Sequence, residues 1–440
     1  MRGGPAPLTL VSLGRWASIA VTQGSSDCRV LFTQSVLFPA SRAVAGSALS
    51  TGNTVTCSIR MTDEDAFAEY RNWESLAAQC EIIDGLSTVE REKARRAFKT
   101  LGSLLGADFL DGAIRERHPI LQELVNLAPW TRRRITWLAS TFTNLQDASG
   151  FGGVLRKFRV PNQFGEAMSL FRTAASLQAA GFNVEFEPTI PGFSKVPDLA
   201  LVHQRTGERL YVEITALQAS DIAKAASRTS FGIVSQVFFA APFLNYVGRI
   251  HRSLSERHLA DVVEQVRAVV AKGTTSFQEL VIANVVEMAL APDSDRDLLD
   301  AWANEHGLEV GTFSGPPIEV DEVQRVRSRI RGEQKQLPAG VANIVVIEGF
   351  RPILDGRSIE HIVSDIAETV YDANHVFAVV ISGGYMGDGV PEATMYGQHC
   401  HVRRRRFDVL IEEHLVLVNR FCDASVSPAV LSDVYRAYLQ

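Results

Sequence analysis

Residues 162–217, NQFGEAMSLFRTAASLQAAGFNVEFEPTIPGFSKVPDLALVHQRTGERLYVEITAL, form the stretch on which the fold of this 440-residue chain depends. Asn162 is a good N-cap for a helix whose apolar residues fall in one stripe at helical spacing. Gly181 is the type of residue that ends such a helix at the C′ position. Residues 182–186 then alternate between apolar and polar, which predicts a strand with one buried face.

A hairpin follows, with predicted strands at 196–202 and 210–216 and a turn around residues 206–207. Because side chains alternate across a strand, Asp198 and Glu213 each lie on a defined face of the hairpin. A turn centred between residues 206 and 207 puts Asp198 opposite Thr215, and a centre one residue earlier puts it opposite Glu213. Either register makes Asp198 and Glu213 close neighbours on one face.

Two carboxylates placed this closely on a half-buried strand pair repel each other and raise each other's pKa. A hard divalent cation removes that repulsion, and Mg²⁺ favours one or two carboxylates completed by water and phosphate. The cation also lowers the pKa of water and stabilises charge on phosphate. Asp198 and Glu213, joined by Glu166 from the first turn of the helix, therefore predict a site for phosphodiester hydrolysis.

Each of the three acids also has a purely structural interpretation. Glu166 lies in a first turn, where the helix dipole alone favours an acid by about 0.3–1 kcal/mol. Asp198 can accept a backbone hydrogen bond, and Glu213 can pair with Arg209. The order of the acids along the chain and their shared face favour the functional interpretation.

This arrangement resembles the core of the PD-(D/E)xK nuclease superfamily. Residues 196–198, Val-Pro-Asp, resemble the family's Pro-Asp, and residues 213–215, Glu-Ile-Thr, resemble its Glu-x-Lys. Glu166 resembles the additional acid that many members carry. The resemblance implies an α/β fold with a restriction-endonuclease-like αβββαβ core and a mixed sheet, preceded here by an all-helical segment. It also implies a nuclease that hydrolyses DNA.

The resemblance further implies roles for individual residues. Asp198 and Glu213 hold Mg²⁺ or Mn²⁺, with the carbonyl of Ile214 nearby, and Glu166 binds the ion through water. Thr215 stands where the family has a lysine that polarises the attacking water and balances phosphate charge. The resemblance therefore implies four catalytic positions, which are Glu166, Asp198, Glu213 and Thr215.

Threonine carries no charge, so the site needs a lysine from elsewhere or is inactive. Lys195, Lys224 and Lys335 are the candidates, although strand parity argues against Lys195. The alternative function is a catalytically silent nuclease fold that serves as a binding or assembly module. The segment 335–338, ahead of a buried strand, is similar to a feature of some bacterial members of this fold.

Downstream of the hairpin, helices alternate with apolar strands, which is typical of internal positions in a parallel sheet. The predicted helices are 222–228, 256–270, 295–306, 320–334 and 359–371, and the predicted strands are 280–290, 343–347, 376–381 and 409–418. A turn at 382–384, Ser-Gly-Gly, follows a buried strand and supports a third interpretation, an unrelated α/β enzyme. That turn has neither the dinucleotide-binding nor the P-loop glycine spacing.

Composition divides the chain into three parts. Residues 1–60 contain one acid, Asp27, against five arginines, and predict a disordered tail or an extension ahead of a start at Met61. Residues 61–150 predict a helical segment, in which Ser87 followed by Glu90 indicates a capping box. Residues 151–440 predict the PD-(D/E)xK-like α/β domain with helical insertions.

Charge and cysteine content restrict the partners. The net charge of −6 means that nucleic acid requires a local basic patch, and residues 132–134 and 403–406 are arginine runs. We interpret the first as a solvated helix face and the second as a loop.

The five scattered cysteines form no Cys-x-x-Cys pair, which indicates a reducing, cytoplasmic setting. Residues 399–401, His-Cys-His, are interpreted as an incidental cluster. No apolar run is long enough to span a membrane. The sequence does not determine the oligomeric state.

Overall fold

The computed structural model describes residues 20–24, 27–31, 70–217, 220–240, 244–316, 322–349, 359–386, 393–396, 400–407 and 410–439. These described residues form thirteen α-helices and fourteen strands in two mixed sheets. The predicted α/β class is therefore confirmed.

The strands are numbered in chain order. They are β1 Ala20–Gly24, β2 Asp27–Leu31, β3 Phe182–Phe186, β4 Leu199–His203, β5 Arg209–Ala216, β6 Asn245–Ile250, β7 Gln278–Ile282, β8 Val286–Ala291, β9 Thr312–Ser314, β10 Asn343–Glu348, β11 Val376–Met386, β12 Ala393–Tyr396, β13 Cys400–Phe407 and β14 Leu410–Val418.

The helices are numbered in the same way. They are α1 Trp73–Ala78, α2 Thr88–Leu105, α3 Phe109–Arg115, α4 Leu121–Leu124, α5 Pro129–Leu145, α6 Phe151–Phe158, α7 Phe164–Ala179, α8 Asp221–Ala240, α9 Glu256–Gly273, α10 Arg296–Glu305, α11 Glu322–Glu333, α12 Ile359–Tyr371 and α13 Pro428–Leu439. Short 3₁₀ turns lie at Gln79–Ile82, Asp293–Asp295 and Gln334–Gln336.

The larger sheet has eight strands in the order β12-β13-β14-β11-β10-β5-β4-β3. Strands β3, β4 and β5 form an antiparallel meander. Strand β10 is parallel to β5, and β11 is parallel to β10. The chain then returns antiparallel through β14 and β13 to the edge strand β12. The central strands are thus parallel and buried, as their uninterrupted apolar sequences predict.

The hairpin register decides between the two alternatives left by the sequence. Leu199 faces Val212 across β4 and β5, so continuing the ladder by one residue places Asp198 opposite Glu213. Gly207 takes the positive φ of 72° that the turn requires, and its N–H donates to the carbonyl of His203. The turn centred one residue earlier is therefore the one that forms.

Helix α7 begins one residue later than predicted, because Gln163 and not Asn162 is its N-cap residue. Its end matches the prediction, since Gly181 has a φ of 97° just beyond the helix. In β3 the residues at 182, 184 and 186 are buried, also as predicted. This helix and strand form the start of the unit that carries the acids.

One apolar core extends across the boundary that we predicted at residue 150. Leu145 and Phe151 both belong to it, together with Leu201 and Val346 from one face of the eight-stranded sheet. Helices α1–α7 and α13 therefore pack on the same side of the sheet. The predicted capping box forms, with Ser87 and Glu90 each bonding the other's backbone.

The opposite face of the sheet is covered by α11 and α12. Val326 and Ile366 from these helices share a second core with Val345 of β10. Ala200 and Tyr211 of the hairpin belong to this second core. Asp198 and Glu213 are each two residues away from one of them, so their side chains point to the same side of the sheet, which is the side of α11. This is the side on which the two predicted metal ligands lie.

A second sheet of six strands, in the order β1-β2-β9-β6-β8-β7, is formed mostly by residues between β5 and β10. The single strand predicted at 280–290 is wrong. Residues 278–291 instead form the hairpin of β7 and β8, turning at Asn284 with a φ of 56°. An asparagine tolerates this left-handed conformation, so the continuous apolar pattern concealed a turn. Strand β6, which we did not predict, lies between β8 and β9.

Several local predictions are corrected by the structure. The Ser-Gly-Gly segment at 382–384 continues β11 instead of forming a turn, and the arginines at 403–406 lie in β13 instead of a loop. Arg132 is fully buried, with its guanidinium 5.2 Å from the ring centroid of Phe98, so the first arginine run is not a solvated face. The predicted helix at 222–228 extends over the whole of α8.

Part of the N-terminal segment predicted to be a tail forms strands. Strands β1 and β2 pair with each other, and β2 pairs with β9. The rest of residues 1–60, and His399 of the His-Cys-His cluster, lie outside the described residues. Among the described helices, none combines the length and the apolar character needed to cross a membrane.

Candidate functional site

Asp198 and Glu213 hold each other through reciprocal hydrogen bonds at the open end of the hairpin. The N–H of Ile214 donates to the Asp198 carboxylate at 2.6 Å. The N–H of Asp198 donates to the Glu213 carboxylate. Each acid is therefore oriented by the backbone of the other strand, and the hairpin register fixes both.

Glu213 is buried at 6% exposure, and its Oε2 atom has no hydrogen-bond partner. A buried carboxylate oxygen left without a donor loses the full hydration of that atom. Among the described residues, no cation forms an ion pair with Glu213. This unpartnered oxygen on an acid predicted from the sequence marks the pair as the candidate site.

Burial, with the neighbouring acids adding to its effect, raises the pKa of both Asp198 and Glu213. Burial raises the pKa of Glu213 to about 9, and the negative charges of Asp198 and Glu333 add to this effect. Burial also raises the pKa of Asp198 to about 7, against the hydrogen bond from Ile214. Near neutral pH the pair therefore holds protons that a cation would displace.

Glu333 is a third acid in this group, and it comes from the last turn of α11. It is buried at 7% exposure, and Arg329 lies 3.6 Å from its carboxylate. Its second oxygen accepts a hydrogen bond from Gln336 at 2.9 Å. Glu333 is thus partly neutralised by its neighbours, whereas Glu213 is not.

Glu166 lies on the other side of Asp198 and is held by Lys157. The Lys157 Nζ atom of α6 is 2.6 Å from Glu166 and 2.6 Å from Glu187. Glu166 is 53% exposed, and its charge raises the pKa of Asp198. The three acids predicted from the sequence therefore act on one another electrostatically, with Glu166 at the rim.

Glu187 is fixed in place by an unusual backbone conformation. Its φ is 48°, a left-handed value that costs a non-glycine residue about 1–2 kcal/mol. Its N–H donates to the carbonyl of Asp198 at 2.9 Å. Glu187 therefore ties the end of β3 both to Lys157 and to the residue that carries the first acid.

Lys157 brings a positive charge close to Asp198. Burial lowers the pKa of Lys157, but the hydrogen bonds to Glu166 and Glu187 outweigh burial and raise it above its usual value. The ammonium stays charged, and its charge lowers the pKa of Asp198. Thr215 lies in β5, half-buried, opposite Ile347 of β10.

The three lysines proposed from the sequence lie elsewhere. Lys195, Lys224 and Lys335 are all exposed, and Lys224 forms an ion pair with Asp221 at 3.5 Å. None of the three contributes to the pKa shifts of Asp198 or Glu213. Lys157 was missed because the sequence analysis predicted no helix or strand for residues 154–160, although α6 has a buried apolar face.

The type of ligand atom at this site suits a hard divalent cation. The unpartnered Glu213 oxygen and the Asp198 carboxylate are anionic oxygen ligands of the kind that Mg²⁺ and Mn²⁺ prefer. No group of three or more His, Cys, Asp or Glu side chains within the described parts of the chain is arranged to hold a metal ion. Mg²⁺ commonly uses one or two carboxylates with water, so two ligands fit it.

One contact in the structure bears on the interpretation of this chain as an unrelated α/β enzyme, which was based on residues 382–384. The Ser382 hydroxyl lies 2.8 Å from Nδ1 of His414 on the neighbouring strand β14. Both residues belong to a polar row across the sheet that includes Glu348 of β10. Glu348 is already bonded by Ser169 at 2.6 Å and Arg172 at 3.2 Å, so this row is a satisfied buried network.

Comparison with known proteins adds no identification. No known protein-family model matches the chain, and neither a curated protein nor a solved structure is detectably similar to it.

Proposed function

We propose that this protein is a divalent-metal-dependent nuclease that hydrolyses phosphodiester bonds in DNA. The observation that carries the proposal is the buried pair of Asp198 and Glu213 on one sheet face, with one carboxylate oxygen of Glu213 unpartnered. Among the described residues, no hydrogen bond reaches this oxygen and no positive charge pairs with Glu213. A bound Mg²⁺ or Mn²⁺ ion would compensate this charge.

The order of elements supports a restriction-endonuclease-like core. Helix α7 leads into the meander β3-β4-β5, and a crossover through α11 leads to β10, which lies parallel to β5. This is the αβββαβ order that the family resemblance implies. Strands β6–β9 of the six-stranded sheet are then an insertion between β5 and β10.

In this proposal the residues divide into two roles. Asp198 and Glu213 hold the cation, with the Ile214 carbonyl nearby and Glu166 at the rim. The cation supplies Lewis acidity toward water and phosphate. Lys157 holds Glu166 in position and offers a fixed positive charge for phosphate, in place of the lysine that Thr215 replaces. The cytoplasmic setting and the DNA partner are parts of the same proposal.

The test is cleavage of plasmid and single-stranded DNA by the full chain with Mg²⁺ or Mn²⁺. Asp198→Asn and Glu213→Gln are compared with Glu185→Gln, a matched control on β3 whose acid is half-buried and pairs with Arg209. We expect cleavage by the wild type and the control, and loss of cleavage in both site variants. Cleavage that persists in Asp198→Asn and Glu213→Gln would refute the proposed site.

The second candidate is a catalytically silent protein of the same fold, which Thr215 favours. The two candidates differ in metal binding, which calorimetric titration with Mn²⁺ measures directly. A nuclease site binds Mn²⁺ and loses that binding in Glu213→Gln. A silent fold shows neither binding nor cleavage while the wild-type chain remains folded.

A further inference from the structure

We propose that the Lys157 ammonium stands in for a second divalent cation beside Asp198, so that the site takes one metal ion and the protein supplies the second positive charge. The proposal rests on the proposed function and assigns the cation content of the same site. It also makes Glu187 a positioning residue, which together with Glu166 holds Lys157 in that place.

Lys157 is clamped between two carboxylates. Its Nζ atom lies 2.6 Å from an oxygen of Glu166 and 2.6 Å from an oxygen of Glu187. Both contacts are short even for charge-assisted hydrogen bonds, which span about 2.7–2.9 Å. Among the described residues, no other cation forms an ion pair with either acid. The two carboxylates therefore converge on one point, and the ammonium fills it.

The clamp adjoins Asp198 through the pairing of β3 with β4. Phe186 faces Leu199 across these strands, so Glu187 and Asp198 are the next facing residues. The N–H of Glu187 donates to the carbonyl of Asp198 at 2.9 Å, which shows that the two residues are in contact. Facing residues of antiparallel strands have Cα atoms about 4.5–5.5 Å apart. The two cations of a two-metal hydrolase lie about 3.5–4 Å apart, so the clamp is near enough to Asp198 to take the place of one of them.

The backbone holds both sides of the clamp in place. Glu187 has a left-handed φ of 48°, which persists only where the surroundings fix it. Gly150, the N-cap residue of α6, lies so close to β3 that a Cβ atom there would be 2.3 Å from the carbonyl oxygen of Phe186. The N–H of Phe186 donates to the carbonyl of Ser149 at 2.8 Å. Helix α6, which carries Lys157, is therefore seated on the end of β3 that leads to Glu187.

The clamp differs from the other lysine ion pair among the described residues. Lys224 reaches a single acid, Asp221, at 3.5 Å, and both side chains are largely exposed. The side chains of Lys157 and Glu187 are only 28% and 33% exposed. An exposed single pair contributes little to stability, whereas two converging acids fix their cation. Carboxylate oxygens are also the ligands that Mg²⁺ and Mn²⁺ prefer, so removal of the ammonium leaves a place that suits either ion.

The experiment counts the Mn²⁺ ions bound by each full-length chain, by calorimetric titration and by electron paramagnetic resonance of free Mn²⁺. Lys157→Ala removes the ammonium and leaves its place open. Arg156→Ala is the matched control, since it removes the same charge from an exposed neighbour on α6. Lys157→Ala/Glu187→Gln removes one acid of the clamp as well. Thermal melts verify that all three variants fold.

We expect the wild type and Arg156→Ala to bind one Mn²⁺ ion, and Lys157→Ala to bind a second. Lys157→Ala/Glu187→Gln is expected to lose the second ion, because Glu187 is one of its two ligands. A second ion in the wild type, no second ion in Lys157→Ala, or a second ion that persists in Lys157→Ala/Glu187→Gln would each overturn the inference.

The same titrations separate this inference from the proposed function. One ion in both the wild type and Lys157→Ala would leave the metal site of the proposed function intact and overturn the assignment of Lys157. A wild type that binds no Mn²⁺, beside a Lys157→Ala variant that binds one ion through Glu187, would refute the metal site of Asp198 and Glu213 and support the assignment of Lys157.

Discussion

The two ends of the β4–β5 hairpin bury charge in opposite ways. At the turn, His203 is fully buried and its Nε2 atom lies 2.9 Å from the Asp433 carboxylate of α13. Arg205 and Arg436 lie 2.7 and 3.1 Å from the same carboxylate. At the open end, Asp198 and Glu213 meet only a further acid on the side of α11, and the Glu213 Oε2 atom has no partner.

In the proposed function, this difference separates a structural use of charge from a functional one. Burying a charge is unfavourable unless opposite charges and hydrogen bonds compensate it. Asp433 is compensated and anchors the C-terminal helix to the hairpin. The Glu213 carboxylate has no ion-pair partner among the described residues and its Oε2 atom has no hydrogen bond, and in the proposed function a cation supplies the missing partner.

The largest expected effect is the loss of activity in Glu213→Gln. Loss of outer-sphere partners already lowers metal affinity or activity by 10–100-fold, so loss of a direct ligand lowers cleavage by about 10²-fold or more. Plasmid nicking with Mn²⁺ measures it, with Glu185→Gln as the control. A wild-type rate of plasmid nicking by Glu213→Gln would show that the acids at the open end of the hairpin have no role in cleavage.

Asp433→Ala is expected to cost stability instead. It removes the acceptor of buried His203 and the partner of Arg205 and Arg436, and breaking a buried ion pair lowers the free energy of unfolding by about 3–5 kcal/mol. Denaturant unfolding measures this loss, and Asp423→Ala, at an exposed position of the preceding loop, is the control. Equal unfolding midpoints for both variants would contradict the structural role.

Lys157→Met tests whether the open end uses a cation from α6. We expect cleavage to fall by about 10–100-fold, as for other outer-sphere partners of a metal site. The pH dependence of Mn²⁺ binding moves upward as well, because Lys157 lowers the pKa of Asp198. Arg156→Met, an exposed neighbour on the same helix, is the control. Indistinguishable pH profiles for the two variants would assign Lys157 to packing alone.

The smallest expected effect is on the pH dependence of stability, and the two ends of the hairpin have opposite signs. Burial raises the pKa of Asp433, but the bonds from His203 and Arg205 outweigh it, so the pKa is lowered. Its contribution is therefore present at neutral pH and is lost as the pH falls below the usual range of aspartate.

Asp198 and Glu213 have raised pKa values, so their contribution is complete in acid and is lost as the pH rises through about 7 and about 9. Melting temperatures of wild type and Glu213→Gln across this range measure the loss. The variant should lose less stability than the wild type as the pH rises, and Mn²⁺ should protect only the wild type. Parallel curves would show that the acids do not interact as described.

The local sequence predicted the elements that carry the site because their signals are local. The apolar stripe of α7, Gly181 and the alternation of β3 each depend on neighbours a few residues away. The hairpin parity placed Asp198 and Glu213 on one face for the same reason. The single strand at 280–290 failed because a turn at Asn284 leaves no break in an apolar pattern.

The sequence by itself determined the α/β class, the central buried strands and the candidate acids, since periodicity and turn chemistry are properties of short segments. Only the tertiary structure decided which groups surround those acids. Lys157, Glu187 and Glu333 come from positions up to 176 residues apart, and sheet packing brings their charges to the hairpin. Electrostatic interaction depends on distance in space and on burial, and neither can be read from spacing along the chain.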